Sequence, residues 1–330
     1  MLEIIEAKTR ADMRAFFRAA KRSGYTKKEE KYLEMYAFSP LSLLSQNGPQ
    51  AFLVAKRDGK SVFRVLTGVD MRYVRKEECP QGYFSVFDGE KDEEAARAIL
   101  KAVMEKQRNW GMKRVIGPIA PDGSGFFMGA GEGDFSGPRG IFTGPDASFQ
   151  CGILRSEGFL PVKTECAYEI ELGKENPLSG VARKAEERFH VEIMKMNTGL
   201  FSTDWIKRIL DVSKEAPQNE MRLMLERIRP FIETKHSYIA FSGNVSLGYL
   251  VSLKKDGGIL RAATLITSSE HFSAPAVLAL IDAFLSGAKK DGLDRAEISV
   301  VDSRNLRSER LVLRFGGRKQ RQYTVFTKNV

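Results

Sequence analysis

A glycine ends a helical pattern, and a short apolar strand follows it, in Gly111-Met112-Lys113-Arg114-Val115-Ile116. The preceding residues, 92–110, carry apolar side chains at the spacing of one helix face. The same arrangement returns in Gly292-Leu293-Asp294-Arg295-Ala296-Glu297-Ile298, after a second helical pattern over 275–290. Glycine suits both positions, because the residue after a helix often takes a left-handed conformation. The two stretches therefore predict one strand–helix–strand unit in each half of the chain.

A second pair of segments repeats downstream of these strands. Ile153-Leu154-Arg155-Ser156-Glu157-Gly158-Phe159 matches Leu311-Val312-Leu313-Arg314-Phe315-Gly316-Gly317, and each predicts a helix end with a glycine break. A strand pattern follows each one, over 166–170 and over 322–326. Elements that recur in one order predict a duplicated unit.

The two predicted units meet near Leu172-Gly173-Lys174-Glu175-Asn176-Pro177, which has the composition of a linker. We therefore predict an N-terminal domain over 1–172 and a C-terminal domain over 173–330. The N-terminal half carries an insertion over 117–149 that is rich in glycine and proline. It lacks a GxGxxG pattern that opens a helix, which argues against a dinucleotide-binding loop. A mobile flap over a ligand cleft and a plain surface insertion both stay open for it.

Bulk composition describes a globular protein of 330 residues, with 42% hydrophobic and 28% charged residues. No run approaches the roughly 20 apolar residues that span a bilayer, and the acidic start does not resemble a signal peptide. We expect no membrane insertion and a cytoplasmic location. Three cysteines without CxxC spacing predict neither a disulfide framework nor a zinc site. The net charge of +10 is scattered and no compact nucleic-acid motif accompanies it, so nucleic-acid binding is not expected.

The order of these elements resembles that of the GNAT acyltransferase superfamily, and their duplication is similar to tandem GNAT-like proteins. The resemblance is carried by Arg114-Val115-Ile116-Gly117-Pro118 in the first half and by 296–299, 315–317 and 323–328 in the second. It implies an α/β (α+β) fold class with two tandem GNAT-like domains, each a mixed, mainly antiparallel twisted sheet flanked by helices. It also implies an acyl-CoA-dependent N-acyltransferase, with acetyl-CoA or another acyl-CoA as donor and a small-molecule amine or a peptide as acceptor.

The resemblance places a donor site in the loop that precedes the helix of 275–290. In that family, backbone N–H groups at a helix start bind the CoA pyrophosphate. The predicted cofactor-binding residues are Ile266, Thr267, Ser268, Ser269, Ser273 and Ala274. Phe272, Pro275 and Val277 stand where the family pattern has Arg or Gln, Gly, and Gly or Ala, so the loop departs from that pattern.

Two residues of this loop are the predicted catalytic residues. Glu270 and His271 carry groups that accept a proton near neutral pH. A solvated loop histidine stays open as the other interpretation of His271. The family often uses a tyrosine as proton donor on the last helix, and Val312 stands at that position here. His190 and His236 lie apart from any hydrolase pattern.

The equivalent loop of the first half, 88–94, is rich in acids. Acids stabilise a helix start but repel phosphates, so we predict a structural cap there. A non-catalytic GNAT-fold ligand-binding or scaffold protein is therefore an alternative function. A further alternative is a FemABX-like aminoacyl transferase, for which the charge of +10 would suit an RNA donor.

Overall fold

A computed structural model of the chain describes residues 1–20, 25–38, 48–71, 79–119, 129–133, 140–144, 147–173, 176–196, 203–212, 218–256, 259–267 and 274–330. The chain forms two compact units, each assembled from separate stretches. Unit 1 consists of Met1–Gly133, Phe142–Glu165 and Gln322–Val330, and unit 2 consists of Asp134–Ile141 and Cys166–Arg321. A boundary between two repeats at residue 172 stays a prediction.

Unit 1 is built on strands that run antiparallel until one helical crossover. Its elements are β1 (Leu2–Glu6), α1 (Arg10–Ala20), α2 (Lys27–Phe38), β2 (Gln50–Arg57), β3 (Lys60–Val69), β4 (Gln81–Gly89), α3 (Glu93–Asn109), β5 (Arg114–Gly117), β6 (Ala130–Gly133) and α4 (Ser148–Ser156). Strands β1 to β4 are antiparallel neighbours in sequence order, and β4 runs parallel to β5. The last strand of the chain, β13 (Arg318–Asn329), then pairs antiparallel with β5.

Unit 2 repeats this plan. Strand β7 (Leu160–Glu171) begins in unit 1 and ends in unit 2. The other elements are α5 (Ser179–Phe189), β8 (Glu192–Lys195), α6 (Thr203–Val212), α7 (Gln218–Ile228), β9 (Tyr238–Ser242), β10 (Val245–Asp256), β11 (Ile259–Thr267), α8 (Ala274–Lys290), β12 (Arg295–Asp302) and α9 (Leu306–Arg314). The strand order in this unit is β7, β12, β11, β10, β9 and β8. Strands β11 and β12 are parallel, while β8 to β11 are antiparallel neighbours.

The predicted strand–helix–strand units are confirmed in both halves, and their helices end alike. Gly111 follows α3 with φ of +76° and Gly292 follows α8 with φ of +72°. In each case the glycine N–H donates to the carbonyl three residues back, and the next N–H donates to the carbonyl five residues back. Gly158 and Gly316 repeat this pattern after α4 and α9. The four glycines therefore mark equivalent helix ends.

Each crossover helix packs one apolar face on its sheet. In unit 1, Ile99 and Val103 of α3 are buried in one cluster with Phe63 and Phe84. In unit 2, residues such as Leu280 and Phe284 of α8 form a corresponding cluster, together with Leu250, Leu260 and Ala296. Fully burying a side chain of this size contributes roughly 1.5–3 kcal/mol. These two clusters fix the crossovers on which the candidate site depends.

Several described residues of the stretch 117–149 are buried. Ile141, Phe142 and Thr143 are at most 2% exposed, and β6 is a short strand within the same stretch. A plain surface insertion is therefore wrong for these residues, because their side chains pack inside the units.

The cysteines are free thiols, half-buried at Cys79 and buried at Cys151 and Cys166. Among the helices that the structure describes, none has the length and apolarity to cross a membrane.

Candidate functional site

Strand β11 carries a bulge just beyond its parallel pairs with β12 in unit 2. Consecutive residues of β10, Val251 and Ser252, pair with Thr264 and Ala262, so Ala263 is an extra residue on β11. A bulge bends its strand and increases the local twist. The last third of β11 is thereby re-aimed before the chain leaves the sheet.

A buried polar network lies directly before this bulge. Arg261 and Glu297 occupy partner positions on β11 and β12. Arg261 donates from Nε to Ser299 Oγ at 2.8 Å, and Ser299 donates to Glu297 Oε1 at 2.5 Å. All three residues are at most 3% exposed. The hydroxyl therefore links a buried guanidinium to a buried carboxylate whose closest atoms lie 4.0 Å apart.

Two residues of the glycine-rich stretch complete the network. The Gly140 N–H donates to Glu297 Oε2 at 2.9 Å, and the Arg261 guanidinium donates to the Ile141 carbonyl at 2.5 Å. A Cβ on Gly140 would lie 2.3 Å from Glu297 Oε1, so glycine is required here by close approach. Buried charges are tolerated when their hydrogen bonds are satisfied. Glu297 accepts on both oxygens, so it links the two strands to the loop.

Helix α8 begins at Ala274, at the end of the predicted donor loop. Its first turn contains no acidic residue, and Ala274 is exposed. A helix N-terminus carries partial positive charge, which favours anions. Pro275 lies in the first turn, as predicted, and contributes no N–H. This helix start therefore keeps a positive end that no carboxylate of its own first turn neutralises.

The structure describes three of the predicted site residues. The backbones of Ile266 and Thr267 end β11 and pair with Tyr249 and Gly248 of β10. Ala274 begins α8, so these residues bracket the predicted donor loop from both sides. The others lie outside the described residues: Ser268, Ser269, Glu270, His271 and Ser273. Their assignment to a donor and acceptor site stays a prediction.

In the corresponding loop of unit 1, acidic side chains cap the helix and bind an arginine. Asp92 caps α3, because its carboxylate accepts from the Ala95 N–H at 3.0 Å. Arg57 donates two hydrogen bonds to Asp92, at 2.7 and 2.9 Å, and one to Glu94 at 2.9 Å. The hydrogen bond from Arg57 is the largest cause that holds the pKa of Asp92 below its usual value. The predicted structural cap is confirmed, and carboxylates at this helix start disfavour a phosphate there.

Strand β4 of unit 1 carries a bulge at the position that corresponds to the bulge of β11. Arg64 of β3 pairs with Asp88 and Leu66 pairs with Ser85, so β4 has one residue more than β3 in this interval. Val86 lies in the bulge with φ of +53°. A β-branched residue in this region is strained, and such strain persists only where the surroundings hold it. Arg64 and Asp88 form a buried ion pair at 2.7 Å beside it.

The residue predicted at the place of the family's tyrosine is part of an apolar cluster. Val312 of α9 is 3% exposed and packs with Cys166, Tyr168 and Val301. The nearby Tyr168 hydroxyl donates to Glu309 Oε1 at 2.7 Å. Burial is the largest cause that raises the pKa of Tyr168, so this hydroxyl is a weaker acid than a free tyrosine. Neither residue is a ready proton donor.

The structure describes two histidines, one at a helix end and one beside a carboxylate. His190 ends α5 in a left-handed conformation, with φ of +50°. His236 places Nε2 3.0 Å from Asp291 Oδ2, and burial is the largest cause that lowers the pKa of His236. Neither histidine belongs to the predicted donor loop.

The fold matches solved acetyltransferase structures over the whole chain. A tandem GNAT protein from the clavulanic acid biosynthesis pathway matches with a TM-score of 0.63 at 11% identity, covering 100% of this chain and 98% of that one. A GCN5-related N-acetyltransferase from Sphaerobacter thermophilus matches with a TM-score of 0.54 at 12% identity, covering 99% of this chain and 95% of that one.

A third match is part of a longer protein. A GCN5-related glucosamine N-acetyltransferase region of a fungal multi-domain GH3 β-N-acetylglucosaminidase has a TM-score of 0.64 at 11% identity. The match covers 99% of this chain and 38% of that one. No protein-family model and no curated protein sequence matches the chain. The chain has a tandem GNAT fold, and the predicted fold class is confirmed.

Sequence reasoning missed the buried network of unit 2, although the sequence carried a signal for it. Arg261 and Glu297 each interrupt an apolar strand, in Leu260-Arg261-Ala262 and Ala296-Glu297-Ile298. Opposite charges in two strands that a crossover makes parallel neighbours indicate a pair on the same face of the sheet. Gly140 had no comparable signal, because its partner is distant in sequence.

Proposed function

We propose that the chain is an acyl-CoA-dependent N-acyltransferase that binds its donor in unit 2, at the end of β11 and the start of α8. The observation that carries the proposal is the contrast between two corresponding helix starts. Helix α3 begins with Asp92, Glu93 and Glu94, whereas α8 begins without an acid. A donor with several phosphate charges fits the start of α8 and does not fit the start of α3.

The residues around the start of α8 have distinct proposed roles. Ser268, Ser269 and Ser273 would donate hydroxyl hydrogen bonds to the phosphates, which compensates for the N–H that Pro275 lacks. The backbones of Ile266, Thr267 and Ala274 would hold the two ends of this loop. The buried pair Arg261–Glu297 would keep β11 and β12 in place beneath the donor.

The proposed reaction is transfer of an acyl group from a thioester to an amine. The amine nitrogen attacks the thioester carbonyl, a C–N bond forms and the C–S bond breaks. Glu270 or His271 would accept the proton of the amine. The thiolate would take its proton from solvent, because Val312 has none to give.

The proposal is tested by calorimetric titration of the full chain with acetyl-CoA. Ala274→Asp places a carboxylate at the start of α8, and we expect affinity to fall about tenfold, as one added like charge near the phosphates predicts. Leu306→Asp is the matched control, because Leu306 is the 55% exposed first residue of α9. Equal affinity in both variants, or no saturable binding by the unaltered chain, would contradict the proposal.

The apolar surroundings of Val312 favour a second candidate, a GNAT-fold protein that binds a ligand without turnover. Only the transferase would release the free thiol of CoA. Incubation with acetyl-CoA and glucosamine, lysine or spermidine, followed by mass analysis, separates them. An acylated amine with free CoA supports the transferase, and binding of intact acetyl-CoA without any product supports the second candidate.

A further inference from the structure

A groove of about 390 Å³ lies in unit 1, between helix α1 and the tip of the β2–β3 hairpin. Its walls come from the helix segment Ala11 to Arg18 and from the hairpin segment Lys56 to Ser61. This volume lies in the range of sites for small ligands. The groove belongs entirely to unit 1, so it is separate from the donor site proposed in unit 2.

Four of the residues that line the groove are cationic, and one carries a carboxylate. Arg14 and Arg18 lie one turn apart on α1, about 6 Å along the helix axis. Lys56 and Lys60 flank the hairpin turn on the opposite wall. The carboxylate is Asp12. The amphipathic pattern of α1 explains the arrangement, because its other face buries Phe16 and Phe17 in the unit.

No carboxylate among the described residues forms an ion pair with these four cations. Nearby bases of the same unit are paired: Arg57 binds Asp92, and Lys106 binds Glu6 at 2.6 Å. Two carboxylates act on these cations at longer range, Asp12 on Lys56 and Asp58 on Lys60, so the four positive charges are only partly compensated.

Asp12 is engaged elsewhere. Its Oδ2 accepts from the Thr9 hydroxyl at 2.8 Å and from the Thr9 N–H at 3.1 Å, at the start of α1. The Thr9 hydroxyl is the largest cause that lowers the pKa of Asp12. This carboxylate stabilises its own helix start and leaves the four cations in excess.

We infer that this groove is a binding site for a compact polyphosphate anion, one with two or more linked phosphate groups. Guanidinium groups bind phosphate oxygens through paired hydrogen bonds, and ammonium groups bind them as point charges. Cations on facing walls would contact different phosphates of one chain. The groove extends over about two helical turns and one hairpin tip, which suits a short anion better than an extended polymer.

The test is a calorimetric titration of the full chain with inorganic triphosphate, at low ionic strength and at 0.15 M salt. We expect one saturable site whose affinity falls as salt rises. The double variants Arg14→Gln with Arg18→Gln, and Lys56→Gln with Lys60→Gln, should each bind at least tenfold more weakly. Lys101→Gln is the control, because Lys101 is an exposed base of α3 outside the groove.

Other outcomes overturn the inference. These are unsaturable binding, or equal affinity in the groove variants and the control. A single-stranded RNA that displaces triphosphate at equal phosphate concentration would mean a nucleic-acid surface instead. Circular dichroism checks that the variants fold, and the single variant Lys60→Gln at the hairpin tip is a milder test. Acetyl-CoA affinity is measured in a separate titration. Failure of triphosphate binding therefore does not count against the proposed donor site, and failure of acetyl-CoA binding does not count against the groove.

Discussion

Helices α3 and α8 occupy the same place in two copies of one structural plan, yet their first turns differ in charge. Asp92 and Glu94 engage Arg57 at the start of α3. The first turn of α8 has no acid and is preceded by a serine-containing loop. The shared arrangement of strands and helices fixes where each helix N-terminus lies. A few side chains then decide whether that N-terminus is capped by acids of the chain or is left available to an anion.

The bulged strands extend this comparison to the sheets. Both β4 and β11 have an extra residue before their helix. In unit 1 the Arg64–Asp88 pair joins β3 and β4 beside the bulge, and in unit 2 the network of Arg261, Ser299 and Glu297 joins β11 and β12. Each unit thus buries charged side chains beside its bulge. In unit 1 the two charges bind each other directly, and in unit 2 a serine hydroxyl links them.

The largest effect is expected where the network of unit 2 is broken. Glu297→Ala leaves the Arg261 guanidinium buried without its carboxylate, which should lower the free energy of unfolding by about 3–5 kcal/mol. Calorimetric unfolding of the full chain measures this loss. Glu297→Gln keeps an acceptor for Gly140 and should lose less. A loss below 1 kcal/mol in the alanine variant would mean that the pair is not buried as described.

A smaller effect is expected at the cap of α3. Asp92→Ala removes the side-chain acceptor of the Ala95 N–H and should cost about 1 kcal/mol. Asp92→Asn keeps a capping group and removes the charge that binds Arg57, so its loss should be smaller at pH 7. Melting temperatures of both variants and the unaltered chain provide the comparison.

The stabilities of Asp92→Asn and the unaltered chain should also depend differently on pH. Because the pKa of Asp92 is lowered on folding, its charge stabilises the fold above the unfolded pKa, near 4, and this stabilisation disappears as pH falls through the folded value. The difference between Asp92→Asn and the unaltered chain should therefore close in acid. A difference that stays constant down to pH 2 would exclude the charge as its cause.

An effect of the same size tests the equivalence of the helix ends. Gly111→Ala and Gly292→Ala each place a side chain at positive φ where no other atom lies within 4 Å. Each should cost about 1 kcal/mol, since the left-handed conformation is unfavourable and little else changes. Unfolding by urea measures both. Clearly unequal losses would show that the two helix ends are not equivalent.

The sequence alone predicted the features that depend on local patterns. The crossover helices, their terminal glycines and Pro275 in the first turn of α8 all follow from helix periodicity and end signals. It did not predict the bulge at Val86 or Ala263, because a bulge is defined by pairing between strands. It also did not place residues 322–330 in unit 1, since that depends on contacts over nearly the whole chain.

The site follows the same division. The proposed location of the donor site after β11 comes from the order of elements, and the cap at Asp92 comes from local acids. The link from Arg261 to Glu297 through Ser299, and its closure by Gly140, require the register of two strands and the path of a loop. Each segment shows only its own interrupting charge, Arg261 or Glu297, and long-range packing sets which groups these charges contact.

The most direct test of the account is hydrogen exchange of the full chain with and without acetyl-CoA. We expect protection at the end of β11 and the first turns of α8, within 259–280, and none at the corresponding segment of unit 1, 81–96. Protection of the unit 1 segment instead, or no protection in either segment at saturating acetyl-CoA, would contradict it.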